Sequence, residues 1–364
     1  MTTNPTGAVS AGAASSRAAA ASAPAVSDRL RQGAVIPAHP LALDAAGAID
    51  ERAQRALTRY YLDAGVDGLA VGVHTTQFEL HEDVGRLADV WAMAAAERHR
   101  AGTDPLLVAG LVGDTDQAVA EAEVARDAGY QTALLCPWGM TDRSEHALLE
   151  RARAVGEVLP TIGFYLQTSV GGRHLSRDYW RALFDLDSVV AVKAAPFDRY
   201  RTGDVVQVLL EHDRWDEVVL LTGNDDAIVA DLVTPTRRGD RQVCARGGLL
   251  GQWAVGTRAA VVVAEQARRA VETGQVPMDL LATGSDLVEV NAAVFDVAHD
   301  FAGSVPGVNE VLRQQGLLSS ARCLSETEQL SPGQEELIAG VRQRYGDLLD
   351  EEFVAEHRDD WLAA

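Results

Sequence analysis

The feature that most constrains this chain is a pattern repeated between about residues 33 and 273: a short apolar run, then an amphipathic stretch, eight times over. The apolar runs predict strands at 33–36, 69–73, 106–112, 132–136, 161–166, 189–193, 218–221 and 242–246. Helices are predicted between them. Asp50 is a good N-cap for one over 51–64, and Asp114 or Thr115 caps another that Gly129 closes. Eight such units in about 240 residues predict an α/β fold, a (β/α)8 TIM barrel. An open doubly wound sheet is the runner-up, weakened by the lack of a G-x-G-x-x-G after the first run. Beyond 273 the strands stop. Segments 286–301, 308–317 and 334–349 read as helices, and the acidic stretch 350–364 is expected to fray.

The chain thus divides into an Ala/Ser-rich disordered tail (1–27), a barrel (28–275) and a C-terminal helical extension (276–364). The tail is mostly Ala, Ser, Thr, Gly and Pro and lacks the means to bury a core. A cleaved export signal is the alternative for it. The net charge of −21 argues against a nucleic-acid groove. Cys136, Cys244 and Cys323 are far apart, odd in number and without metal-ligand spacing, as in a reduced, cytoplasmic setting. No apolar run reaches the roughly 18 residues that a membrane span needs.

Lysine usage singles out one residue. Of 32 lysines and arginines, only Lys193 is a lysine. It ends the apolar run Val189-Val-Ala-Val-Lys193, so the sixth strand carries the one side-chain amine able to lose its proton and attack a carbonyl. A lysine snorkelling from a strand end is the plainer reading, but every other cation here is arginine.

In a (β/α)8 barrel the site lies at the C-terminal strand ends. Those positions hold His74, Thr75 and Thr76; Trp138 and Gly139; Tyr165, Leu166 and Gln167; Lys193; Thr222, Gly223, Asn224 and Asp225; and Arg246, Gly247 and Gly248. Tyr165 lies one β/α unit before Lys193, so its hydroxyl is expected beside the amine, shuttling the protons of imine formation. An aromatic capping the barrel top is the other reading. Gly223-Asn224 and Gly247-Gly248 permit close approach of a small ligand. Trp138 is expected to narrow the pocket, and His74 is either an acid/base group or a hydrogen-bonding spectator. His39, His74 and His81 form no credible metal set, so neither a metal nor a cofactor is expected.

Taken together, Asp63-Ala-Gly-Val-Asp-Gly-Leu69, Gly163-Phe-Tyr165, Val189-Val-Ala-Val-Lys193 and Leu221-Thr-Gly-Asn-Asp225 resemble the dihydrodipicolinate synthase / N-acetylneuraminate lyase family of class I aldolases, from about residue 33 to 349. The resemblance implies a TIM barrel in a homotetramer or dimer. It implies a Schiff base between Lys193 and a 2-keto acid, with Tyr165 in proton transfer. The family's G-T-T-G-E carboxylate loop is here Gly72-Val-His-Thr-Thr76. Its threonines fall on Val73 and His74 without a gap, or on Thr75 and Thr76 with a slip. The Y-Y-N-x-P loop is Trp138-Gly-Met-Thr-Asp142, so the tyrosine that a neighbouring subunit would contribute is missing. After the fifth strand Y-N-x-P-G-R becomes Tyr165-Leu-Gln-Thr-Ser-Val170, with Arg173 nearby, and Ala194 follows the lysine.

These departures argue against dihydrodipicolinate synthesis. The expected activity is a Schiff-base lyase, aldolase or dehydratase, on a 2-keto acid or keto-sugar acid. Lys193 and Tyr165 are its catalytic pair, and His74, Thr75, Thr76, Trp138, Gln167, Gly223, Asn224 and Arg246 its substrate contacts. The alternative is a non-catalytic member that binds and senses such an acid.

Overall fold

The barrel strands are nearly continuous apolar runs because their residues are buried on both faces and helices cover the outside. The computed structural model describes residues 22–363. Seven strands lie close to their predicted places: β1 (Ala34–Pro37), β2 (Gly68–Val71), β3 (Leu106–Leu111), β4 (Thr132–Leu135), β5 (Thr161–Leu166), β6 (Val189–Ala195) and β7 (Val219–Thr222).

The eighth differs. Residues 236–243 form a hairpin outside the barrel, β8 (Thr236–Arg238) paired antiparallel with β9 (Arg241–Val243). The last barrel strand is β10 (Gly247–Leu250). Arg237, Arg238 and Gln242 are exposed, which suits a surface ribbon, whereas every residue of β10 is buried. Gly247 is needed there. Its φ is +154°, and a Cβ on it would fall 2.1 Å from the Ala34 carbonyl oxygen.

The sheet order is β1-β10-β7-β6-β5-β4-β3-β2, each neighbouring pair parallel. A parallel bridge between Ala38 and Ala70, with the His39 N–H donating to the Ala70 carbonyl at 2.8 Å, joins β1 to β2 and closes the barrel. Alternation along the strands makes two apolar layers. Ile36, Ala70, Val108, Leu134, Ile162, Leu221 and Leu249 fill the inside. Val35, Leu69, Leu107, Ala133, Val192 and Leu250 face the helices.

The outer ring comprises α2 (Glu51–Ala64), α3 (Val84–Ala101), α4 (Thr115–Asp127), α5 (Glu145–Gly156), α6 (Arg177–Phe184), α7 (Arg199–Glu211), α8 (Ile228–Val233) and α9 (Thr257–Thr273). Asp50 caps α2 as expected, its carboxylate accepting from Ala53 N–H at 3.0 Å. Ahead of β1, residues 22–32 form a helix, α1. The boundary at 27 for a disordered tail therefore falls inside a helix, and residues 1–21 lie outside the described residues. Ala23, Val26 and Leu30 of α1 are buried within the inner apolar layer, at the N-terminal end of the barrel.

The extension contains α10 (Met278–Val294), α11 (Ser304–Gln314), α12 (Gln334–Arg344) and α13 (Glu351–Ala363). The acidic stretch expected to fray is helical from Glu351 to Ala363. Val354 and Trp361 of α13 are buried against α2, and the Trp361 indole donates to Asp63 at 2.5 Å. Asp350 accepts from the Tyr60 hydroxyl and from the N–H groups of Arg258 and Ala259, so one carboxylate ties α13 to α2 and α9. No helix among the described residues is long and apolar enough to cross a membrane.

Candidate active site

Lys193 lies on β6 between Ala191 and Ala195, both in the inner layer. Its amine sits 4.3 Å from the Phe164 ring centroid, inside the barrel near the C-terminal mouth. Gly223, at the end of β7, leaves the space that the lysine stem occupies. A Cβ there would lie 2.5 Å from Lys193 Cε and 2.7 Å from Ala195 Cβ. Burial lowers the lysine pKa to about 8, opposed by the charge of Asp225.

Asp225 is the acidic counterpart. It is buried, one carboxylate oxygen accepts from Gln252 N–H at 3.1 Å, and its backbone carbonyl accepts from the Asn291 amide at 2.7 Å. Burial raises its pKa to about 7, with Lys193 pulling the other way. His74 completes the set. Burial, then the lysine charge, lowers its pKa to about 4, so its imidazole is neutral at neutral pH.

These three side chains share a cavity of about 70 Å³ with Thr75, Gln167 and Gly223. A larger chamber of about 460 Å³ lies next to it. The two have Leu166, Gln167, Phe197, Asp225, Phe295 and Phe301 as common walls. Phe197 and Phe301 meet edge-on, 5.5 Å between centroids, and both have positive φ, 53° and 68°.

Tyr165 is not beside the lysine. The β5–β6 ladder starts with Thr161 opposite Val189, then slips by one residue so that Ile162 faces Ala191. Without the slip Tyr165 would stand opposite Lys193; with it Phe164 does. Tyr165 packs on Trp180, 5.2 Å between centroids, and lines the larger chamber together with Asp225. Its hydroxyl lies toward Leu175 without a hydrogen bond of normal geometry.

Four expected substrate contacts lie elsewhere or are engaged within the fold. Arg246 precedes β10 and lines a depression with Arg31, Gly33 and Asp67 at the N-terminal end of the barrel, opposite the mouth. The misplaced eighth strand explains that error. Asn224 is fully buried and serves the backbone: its side chain accepts from Phe197 N–H at 3.0 Å and donates to Thr202 and Asp231. Thr76 is also engaged internally, donating to the His39 carbonyl at 2.6 Å and accepting from Gly72 N–H at 3.0 Å. Trp138 does not line the cavity; it stacks on Phe78, which lies against His74. His81 bridges Glu121 and the Gly72 carbonyl and so steadies this turn. Arg173 is exposed and donates to the carbonyls of His174 and Arg143.

Residues 31–237 match the model of the dihydrodipicolinate synthetase family. The chain belongs to that family. The fold agrees with solved structures from it. N-acetylneuraminate lyase from Fusobacterium nucleatum is 17% identical, with TM-score 0.69, over 86% of this chain and 99% of the other. Dihydrodipicolinate synthase from Oceanobacillus iheyensis is 17% identical, TM-score 0.69, over 87% and 98%. A prophage protein of the dihydrodipicolinic acid synthase family from E. coli K12, in complex with pyruvate, is 16% identical, TM-score 0.71, over 86% and 98%. No curated protein sequence matches the chain.

The sequence reading left three parts of the site of this family member without a role. Asp225 was visible at a strand end, but nothing marked it as buried beside the lysine. Phe164 was hidden by the slip in the ladder. Phe295, Phe301, Ser304 and Val305 reach the cavity from the extension, over a hundred positions downstream.

Proposed function

We propose that this member of the dihydrodipicolinate synthetase family is a Schiff-base-forming lyase acting on a 2-keto acid, with Lys193 as nucleophile and Asp225 as proton carrier. The observation that carries the reading is the buried Lys193–Asp225 pair, with pKa values moved to about 8 and about 7, at the mouth of the barrel. The amine, in its neutral form, attacks the ketone carbon. Protonated Asp225 gives its proton to the carbinolamine hydroxyl, which leaves as water, and the iminium remains. The iminium draws electrons from the adjacent carbon, which serves an aldolase and a dehydratase alike. His74 and Thr75 present polar atoms to the substrate carboxylate from the turn after β2. The pyruvate held by the E. coli prophage relative supports this class of substrate.

A second reading has one observation in its favour. Phe164 stands where a hydroxyl would assist imine formation, as a non-catalytic member that senses a keto acid would tolerate. Incubation with pyruvate and borohydride, followed by digestion and mass spectrometry, separates the two. The lyase gives a reduced adduct on Lys193. Absence of an adduct with pyruvate and with longer keto acids sinks the imine mechanism and leaves the sensor.

A further inference from the structure

The cavity at Lys193, about 70 Å³, takes roughly half a dozen non-hydrogen atoms at ~10–15 Å³ each, the size of pyruvate. Whatever a keto acid carries beyond its third carbon must enter the neighbouring chamber of about 460 Å³, which has Phe197 and Phe301 as walls in common with the cavity. Two buried polar atoms of residues lining that chamber have no hydrogen-bond partner among the described residues: the Tyr165 hydroxyl and the Asn291 side-chain oxygen. Both residues are almost fully buried, 2% and 3% exposed. The fold fixes which way the Asn291 amide points. Its nitrogen donates to the Asp225 carbonyl at 2.7 Å, and a carbonyl only accepts, so the oxygen is the atom left over. That oxygen is an acceptor alone, and a phenol oxygen can accept too. A ligand that pairs with both brings donors.

Charge points the same way. Asp198, Asp225 and Asp226 line the chamber, against Arg201 and an exposed His174. Lys193 offsets Asp225. Arg201 is paired with Asp204 at 3.6 Å, and Arg199, whose charge acts on Asp226, is held by Asp231. Asp198 caps α7 by accepting from the Tyr200 and Arg201 N–H groups and keeps its charge in doing so. Asp198 and Asp226 therefore leave the chamber negative. The rest of its wall includes three aromatic rings, Phe197, Phe295 and Phe301. The faces of such rings attract a cation, and acceptors beside aromatic walls are the means by which proteins hold organic ammonium groups.

We infer that the chamber takes a keto-acid substituent that ends in a protonated amine, with the Asn291 oxygen and the Tyr165 hydroxyl as its acceptors and Asp198 and Asp226 as its counter-charges. The inference rests on reading Lys193 as the keto-acid anchor, and it names the substrate class that the anchor serves. It also gives α10 a part in specificity, through Asn291, and gives Tyr165 a contact with the substituent instead of the lysine.

Calorimetric titration of the full chain with 4-(aminomethyl)phenylpyruvate and with 4-ethylphenylpyruvate, two keto acids of one shape that differ in charge, tests this. The ammonium compound is expected to bind at least tenfold more tightly than the ethyl compound. It is also expected to bind more tightly than 4-(hydroxymethyl)phenylpyruvate, a neutral donor of the same size. Asp226→Asn, a change at an exposed position that keeps the side chain's shape, is expected to lower the ammonium-to-ethyl ratio at least threefold. A ratio of one or less, binding of neither compound, a hydroxymethyl compound that binds as tightly as the ammonium one, or a ratio that Asp226→Asn leaves unmoved overturns the inference. Borohydride trapping on the same samples reads the imine independently. A missing adduct with the ammonium preference kept refutes the lyase and leaves the chamber's charge preference standing; an adduct without the preference does the reverse.

Discussion

The position of one carboxylate and one ring decides what Lys193 can do. A neutral amine is needed for attack, so the trapping rate rises as pH rises through about 8. Asp225 must hold its proton to release water, so its help falls as pH rises through about 7. The product of the two is a narrow optimum between these values. Asp225→Asn removes the acid, and also the negative charge that favours the ammonium. Its trapping rate with pyruvate is expected to fall about 10²- to 10⁴-fold, the range for lost acid–base catalysis. The rising limb of its pH profile should move below about 8; an unmoved limb would show that the two groups are not coupled. The aromatic pair gives a second check. Tyr165→Phe is expected to leave trapping within about twofold, since Phe164 and not Tyr165 stands beside the amine. Phe164→Tyr puts a hydroxyl beside Lys193 and should speed trapping. The reverse pattern would mean that Tyr165 reaches the amine in solution.

At the scale of elements, the site depends on how β5 meets β6 and on what covers the mouth. A slip of one residue in a parallel ladder exchanges inward and outward side chains, because the strand period is two. That slip turns Tyr165 onto Trp180 and puts Phe164 over the lysine. Far from the mouth, α13 is bound to the barrel wall through Trp361, whose indole donates to Asp63 and whose ring lies 5.2 Å from that of Tyr60. Trp361→Ala is expected to cost about 3–5 kcal/mol, as large-to-small changes of buried aromatics do. The denaturant midpoint of the full chain measures it. A loss below about 1 kcal/mol would return α13 to the frayed end that its acidic composition suggested.

Across the whole molecule, the two ends of the barrel have separate tasks. The N-terminal end is lined by α1, and Arg246 belongs to that end. Arg246→Ala is therefore expected to leave pyruvate trapping unchanged within about twofold; a loss of tenfold or more would place the residue at the mouth after all. Much of this was legible in the amino-acid sequence. Repeated apolar runs mark buried parallel strands, seven of them at their observed places, and their alternation with helices favoured a barrel over an open sheet. The single lysine announced itself by composition, and Asp50 by its place before a helix. The sequence could not say which of Phe164 and Tyr165 faces inward, since one extra residue in a ladder reverses the answer at no cost in composition. Nor could it tell the surface ribbon at 236–243 from a barrel strand. The Asp225 carboxylate, the lysine amine and the phenylalanines of the extension come together only when the chain closes on itself. Their pKa values and the shape of the chamber follow from that burial, which no short stretch of sequence encodes.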